Sequence, residues 1–296
     1  MARYIYINGQ YAPYHHAVSH VEDRAYLFGD AIYEVIAYIN GYYADERAHL
    51  DRLERSLKEL KIEMPVSRRN LQLLMREVIR KNRHKNAAIY IQISRGRAKR
   101  DFKFPANDTP PSLMIMTWDY DFESKAIVEK GLRIKTMNDL RWKRRDIKTI
   151  LLLPQSMAKQ EAVDCGYDDA WMVDDHGFIT EGSSNNAYIV KDKKIITRPV
   201  SCDILKGATR NAIEKLCDQS DYKFIEQDFT PEEAYEADEA FVSSATAMIA
   251  PVVEIDDHKL GNGKPSEVFH FVRKEYLDYV HGLKMQPMSW ESGLNA

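Results

Sequence analysis

Apolar residues recur at every second position in clustered runs along this chain, and at helical spacing between the clusters; strand and helix nowhere alternate regularly. That clustering argues against a doubly wound parallel sheet and favours an α+β architecture with mixed or antiparallel sheets and flanking helices. In the first half, 4–7 reads as a strand, Asn8-Gly9 as a hairpin turn, and 10–12 as the returning strand. Residues 22–30 read as a polar loop, and 31–39 (AIYEVIAYI) as a strand closed by Asn40-Gly41. From His49 the pattern turns helical, with Leu50, Leu53, Leu57 and Leu60 on one face and Arg52, Arg55 and Lys58 off it. Ser67 can cap a second helix carrying Leu71, Leu74, Met75, Val78 and Ile79. Strands follow at 88–94 and 112–118, around a basic loop with aromatics from Arg95 to Pro105 that suits a small anion better than a nucleic acid.

Asp119 to Ser124 is a polar step between two patterned halves. It places a smaller N-terminal domain at 1–120 and a larger one at 121–282, with a little-patterned, mobile tail at 283–296. The second half predicts strands at 132–136, 170–173, 177–180, 187–190, 194–197 and 240–244. Helices are predicted at 155–163, from Gly207 to Cys217, from Thr230 and at 266–280. The 296 residues are 44% hydrophobic and 29% charged, with mixed signs summing to −3, which leaves no nucleic-acid footprint. Three cysteines without metal spacing, no signal peptide and no apolar run of membrane length make a cytoplasmic protein the expectation. Neither GxGxxG nor GxxxxGK[ST] is present, so neither a dinucleotide nor a nucleoside triphosphate is indicated.

Chemistry concentrates in four places. Lys148 stands between the charges Arg144-Arg145-Asp146 and the apolar run Ile150 to Leu153. An amine is a nucleophile only when neutral, and desolvation or a neighbouring cation favours the neutral form. On this segment alone a solvated lysine at a strand end is the better reading. Glu181 heads a run of small polar residues, Gly182 to Asn186, that lets backbone approach a planar ligand; a solvated acid at a hairpin is the plain alternative. Gly207-Ala208-Thr209 opens a helix, whose free N–H groups suit a phosphate as well as they suit an ordinary threonine cap. Ser243 to Ala247 follows a strand and offers further donors, or a turn. An aldehyde for Lys148, a ring nitrogen for Glu181 and a phosphate for the donors together describe pyridoxal 5′-phosphate.

On these stretches the chain resembles the class IV, fold-type IV pyridoxal-phosphate aminotransferases, and among them the bacterial D-amino-acid transaminases. The resemblance is carried in family order by residues 22–34 (EDRAYLFGDAIYE), 49–53 (HLDRL), Ser94 to Arg100, 146–148 (DIK), 158–161 (AKQE), 180–185 (TEGSSN), 204–210 (ILKGATR) and 241–244 (FVSS). It implies that Lys148 is the Schiff-base lysine and Glu181 the partner of the pyridine nitrogen. It gives Arg52, Ala208, Thr209, Ser244 and Ala245 to the phosphate, and Tyr33 and Arg100 to the substrate carboxylate. It further implies a two-domain fold, a homodimer, and ping-pong transfer of an amino group from a D-amino acid such as D-alanine to a 2-oxo acid such as 2-oxoglutarate. One position departs from the pattern. Where those enzymes place a histidine two residues after the arginine, this chain has Phe102, which donates no hydrogen bond and adds apolar area. A branched-chain L-amino-acid aminotransferase and an aminodeoxychorismate lyase share the lysine and cofactor. A cofactor-free Schiff-base aldolase and a silent cofactor carrier are more distant alternatives.

Overall fold

In the computed structural model the described residues are 3–218 and 220–282, and they divide into two compact units. The first runs to Asp121 and also takes in Ile147–Leu151; the second comprises Phe122–Asp146 and, of the described residues, those from 152 to 282. The expected tail at 283–296 lies outside the described residues.

The first unit contains β1 (Tyr4–Ile7), β2 (Gln10–Pro13), α1 (Arg24–Phe28), β3 (Ala31–Ile39), β4 (Tyr42–Tyr43), α2 (Glu46–Glu59), α3 (Arg68–Asn82), β5 (Asn86–Ser94) and β6 (Ser112–Asp119). Its strands form an antiparallel sheet in the order β2-β1-β6-β5-β3-β4. Alternation along β3 decides what each residue does: Ile32, Glu34 and Ile36 are buried, while Tyr33 and Val35 on the other face are only half-buried. The leucines of α2 and the apolar stripe of α3 pack with Ile32, Ile36, Ile89 and Ile91 into one core. Residues 22–30 correct the expectation of a loop. Asp23 accepts from the Ala25 N–H and starts α1, and Gly29 ends it in the left-handed region at φ 66°. That turn of helix buries Arg24.

The second unit contains α4 (Lys125–Lys130), β7 (Leu132–Asn138), α5 (Leu153–Asp164), β8 (Asp169–Val173), β9 (Ile179–Gly182), β10 (Asn186–Lys191), β11 (Lys194–Thr197), α6 (Ala208–Cys217), β12 (Lys223–Glu226), α7 (Pro231–Tyr235), β13 (Glu239–Ser244), β14 (Met248–Ile255), β15 (His258–Lys259) and α8 (Glu267–Val280). Its mixed sheet runs β12-β11-β10-β13-β14-β7-β8-β9, with β15 beside β14. The pairs β14–β7, β7–β8 and β11–β12 are parallel and the others antiparallel. The α+β class expected from the strand clusters is the one observed. Three strands of this unit, β12, β14 and the two-residue β15, escape the pattern. β12 is short, and β14 is a continuous apolar run interrupted by Pro251, a residue that argues against a central strand. The proline is accommodated because β7 pairs with β14 only from Val252 onward.

Candidate active site

Lys148 belongs to the first unit, on an extended segment laid antiparallel along the start of β3. The Tyr33 N–H donates to the Lys148 carbonyl at 3.0 Å and the Ile150 N–H to the Ala31 carbonyl at 3.2 Å. Ile147 is buried in the core on one side of the lysine, and Thr149 is buried on the other. The half-buried amine donates to the Tyr33 hydroxyl at 3.3 Å and lies 4.3 Å from the centre of its ring. Tyr33 in turn stacks on Tyr90, with ring centres 5.5 Å apart. The structure thus brings together Lys148 and Tyr33, two residues 115 positions apart. The segment is tightly fitted: a Cβ added at Gly29 would meet a methyl carbon of Leu151 at 2.3 Å.

Arg52 does not project into water, as its place off the apolar stripe of α2 suggests. Its Nε and Nη2 donate to the two oxygens of Glu34, each at 2.7 Å, and His49 Nδ1 lies 2.7 Å from the second oxygen. Glu34 is fully buried on the helix-facing side of β3, the face opposite Tyr33. Burial alone would raise its carboxyl, but Arg52 and His49 outweigh that and hold it down at about 2.

Arg100 lies on the basic loop after β5, its guanidinium 5.6 Å from the Phe28 ring and 5.7 Å from the Phe102 ring. Those two rings meet edge to face. Buried Arg24 holds the loop, donating to the carbonyls of Asp101 at 2.8 Å and Lys103 at 3.4 Å. Asp30 accepts from both Arg24 and Arg95, and Arg95 lies 3.7 Å over the Phe104 ring.

In the second unit Glu181 lies inside β9, not on the turn after a strand, and is 4% exposed. One carboxylate oxygen meets Arg141 Nη1; the other accepts from Asn186 Nδ2 at 3.1 Å. The Leu205 N–H reaches both oxygens, at 3.2 and 3.1 Å. Burial pushes the carboxyl up, against the pull of Arg141 and the Leu205 N–H, and nearby Asp139 adds to the rise. Burial disfavours charge on Arg141 too, but Glu181 and Asp139 outweigh it and raise the guanidinium further. Arg141 and Asp139 give no signal in the sequence, where they are two of many charges between β7 and Lys148. Asn186 opens β10 and also donates to the Leu205 carbonyl at 2.9 Å. It thereby ties Glu181 to the loop that leads into α6.

The cap of α6 is Gly207, without a side-chain bond, so Thr209 does not serve as a threonine cap. Ala208 and Thr209 occupy the first turn, where helix geometry leaves N–H groups without intrahelical acceptors. The Thr209 hydroxyl is buried and lies 3.3 Å from that of Tyr276. Ser244 ends β13; its hydroxyl accepts from the Ala247 N–H at 3.0 Å, and Ala245 follows it in the hairpin to β14.

Taken unit by unit, the donors are of the kinds that pyridoxal 5′-phosphate needs. Three donors reach the Glu181 carboxylate, with the Leu205 N–H shared between its two oxygens, and about four lone-pair sites accept them, so a ring N–H can take the place of one half of that shared bond. The first turn of α6 is an anion site by geometry and dipole. The amine of Lys148 is of the kind that condenses with an aldehyde.

Comparison with known proteins agrees. The family described as amino-transferase class IV matches residues 31–255. A D-alanine aminotransferase of Staphylococcus haemolyticus is 36% identical over 277 residues, covering 93% of this chain and 97% of that protein. Among solved structures, a branched-chain amino acid aminotransferase of Escherichia coli superposes with a TM-score of 0.92 at 27% identity, covering 98% of each chain. A branched-chain amino acid aminotransferase from T.th., solved with pyridoxamine 5′-phosphate, gives 0.88 at 27% identity over 99% of this chain and 97% of the other.

Proposed function

The chain belongs to the class IV aminotransferases, enzymes that use pyridoxal 5′-phosphate, and from that premise we propose that it moves the amino group of a D-amino acid such as D-alanine to a 2-oxo acid such as 2-oxoglutarate. The observation that carries the D-specific reading is the 36% identity with a D-alanine aminotransferase over nearly the whole of both chains. The second reading, a branched-chain L-amino-acid aminotransferase, is supported by the structural neighbours and by the apolar Phe102 beside Arg100.

When bound, the cofactor supplies an aldehyde to carry the amino group and a ring to accept electrons. Lys148 Nζ would take up the α-proton of the amino acid and hold it for return, serving as base and then acid. Tyr33, whose hydroxyl meets that amine, orients it. Glu181 accepts the ring N–H and keeps it protonated. Ala208 and Thr209 at the start of α6, with Ser244 and Ala245, hold the phosphate, and Arg52 contributes charge to it. Arg100, on its pinned loop, and Tyr33 receive the substrate carboxylate. The working assembly is a homodimer in the cytoplasm; among the described residues no helix is long and apolar enough to cross a membrane.

The test is spectral. The yellow, cofactor-loaded protein is mixed with D-alanine or with L-leucine. The reading requires bleaching by D-alanine alone, recovery on adding 2-oxoglutarate, and no response in Lys148→Ala. Bleaching by L-leucine alone overturns the D-specific assignment in favour of the branched-chain one.

A further inference from the structure

A single line of alternating charges ends on Glu181. Asp203 pairs with Arg145 Nη1 at 3.0 Å, and Arg145 Nε lies 3.2 Å from Asp139. Asp139 receives Arg141 Nε at 2.9 Å and Nη2 at 2.7 Å, and Arg141 Nη1 reaches Glu181. Asp139 is completely buried, while Arg141 and Glu181 are each 6% exposed in their side chains. Thr180, next to Glu181 in β9, donates to Asp139 at 2.7 Å and accepts from Arg141 at 3.2 Å. Arg141 is therefore gripped at two nitrogens by one carboxylate and presents the third to another. The fork geometry of a guanidinium fixes that presentation in a way a flexible ammonium would not.

Buried charges of this kind are costly unless each is paired, and the arrangement exceeds what packing requires of Glu181. Its carboxylate already has Asn186 and the Leu205 N–H to satisfy it. What Arg141 adds is a fixed positive charge on one side of the carboxylate. A proton shared between that carboxylate and a ring nitrogen beyond it feels the guanidinium more strongly on the oxygen than on the nitrogen, because the oxygen is nearer. The proton is driven outward, onto the ring.

We propose that Arg141, clamped by Asp139, is the positioning residue that holds the cofactor's ring nitrogen protonated by keeping Glu181 a carboxylate. The proposal rests on the reading that Glu181 is the partner of that nitrogen. Arg141 acts through Glu181 and makes no demand on substrate binding. Its loss therefore lowers kcat and leaves KM for the amino acid close to its starting value.

The experiment loads the full chain with pyridoxal 5′-phosphate carrying ¹⁵N in the ring and reads the nitrogen's chemical shift alongside kcat. Wild type gives the signal of a protonated ring. Arg141→Met moves it toward the neutral-ring position and lowers kcat by about 10- to 100-fold, the worth of one charge-assisted hydrogen bond. Arg141→Lys, which restores the charge, brings the signal most of the way back. Should Arg141→Met fail to fold, Arg141→Gln makes the same comparison, since it keeps a donor for Asp139 and Thr180 but no charge. Glu181→Gln separates the two roles. If it shifts the ring signal while the uncharged Arg141 variants do not, the role of Arg141 is overturned and that of Glu181 stands. If Glu181→Gln leaves the signal unchanged, the assignment of Glu181 to the ring falls, and this proposal with it.

Discussion

Glu34 shows how one residue can be read correctly in pattern and missed in role. Its place in the strand AIYEVIAYI is legible as a polar residue among apolar ones, but nothing local shows that it is fully buried or that Arg52 closes over it. The pairing joins residues 18 positions apart on two elements, so it exists only once α2 has docked on β3. Lys148 and Tyr33 are individually legible for the same limited reason, and only the fold brings them together. Glu34 carries a pH signature. Its folded-state value of about 2 lies below the ordinary 4.5, so its contribution is complete above about pH 4.5 and is lost as pH falls toward 2. The difference corresponds to roughly 3 kcal/mol. Glu34→Gln should destabilise the protein by about 3–5 kcal/mol at neutral pH by stranding the buried Arg52 charge. It should also flatten the fall in stability between pH 4.5 and 2. Urea midpoints measured against pH check both, and an unchanged acid slope in the variant would refute the assignment.

Among elements, those with a clean period are legible and those shaped by their neighbours are not. The stripes of α2 and α3 and the helix start at Thr230 are local signals, and the structure keeps all three. β14 is hidden because a strand buried on both faces loses its alternation, and α1 because five residues hold too little of a helical period to show one. The start of α6 can be found from Gly207-Ala208-Thr209, yet the reason for its glycine lies in β10. A Cβ at Gly207 would meet Asn186 Oδ1 at 2.1 Å. The backbone there is in an ordinary extended region, at φ −67°, so what an alanine meets is the Asn186 side chain and not backbone strain. Gly207→Ala should push Asn186 off both Glu181 and the Leu205 carbonyl. Two hydrogen bonds at about 1 kcal/mol each predict a loss of cofactor affinity of about 30-fold. Equilibrium dialysis of pyridoxal 5′-phosphate measures it, and unchanged retention would show that Asn186 does not set the geometry of this end of the site.

For the molecule as a whole, composition and strand clustering are enough for the α+β class, because both are sums over many residues. What they cannot show is that Ile147–Leu151 belongs with the first unit while the chain on either side belongs with the second. No run of sequence announces such a crossing, since it is made by two backbone hydrogen bonds to β3 and two buried side chains, Ile147 and Thr149. Native-state hydrogen exchange should reveal it. The amides of Tyr33 and Ile150 should open together with β3 and β5, and the flanking amides of β7 and α5 should open with the second unit. Exchange of Ile150 in step with α5 would contradict the division.

That crossing also sets a timetable during synthesis. The first unit has its last contiguous residue at Asp121, but the strip that covers the opening of β3 is not made until Leu151, 30 residues later. At about 5–20 residues per second the ribosome leaves Ala31 to Tyr33 uncovered for roughly 2 to 6 s, long compared with the closing of a hairpin. For that interval the nascent chain presents an unpaired apolar edge to every neighbouring chain in the cell. The segment that ends the exposure is the one that carries Lys148, the lysine proposed to hold the cofactor, so that amine is delivered to the protein by the same event that makes the chain safe from its neighbours.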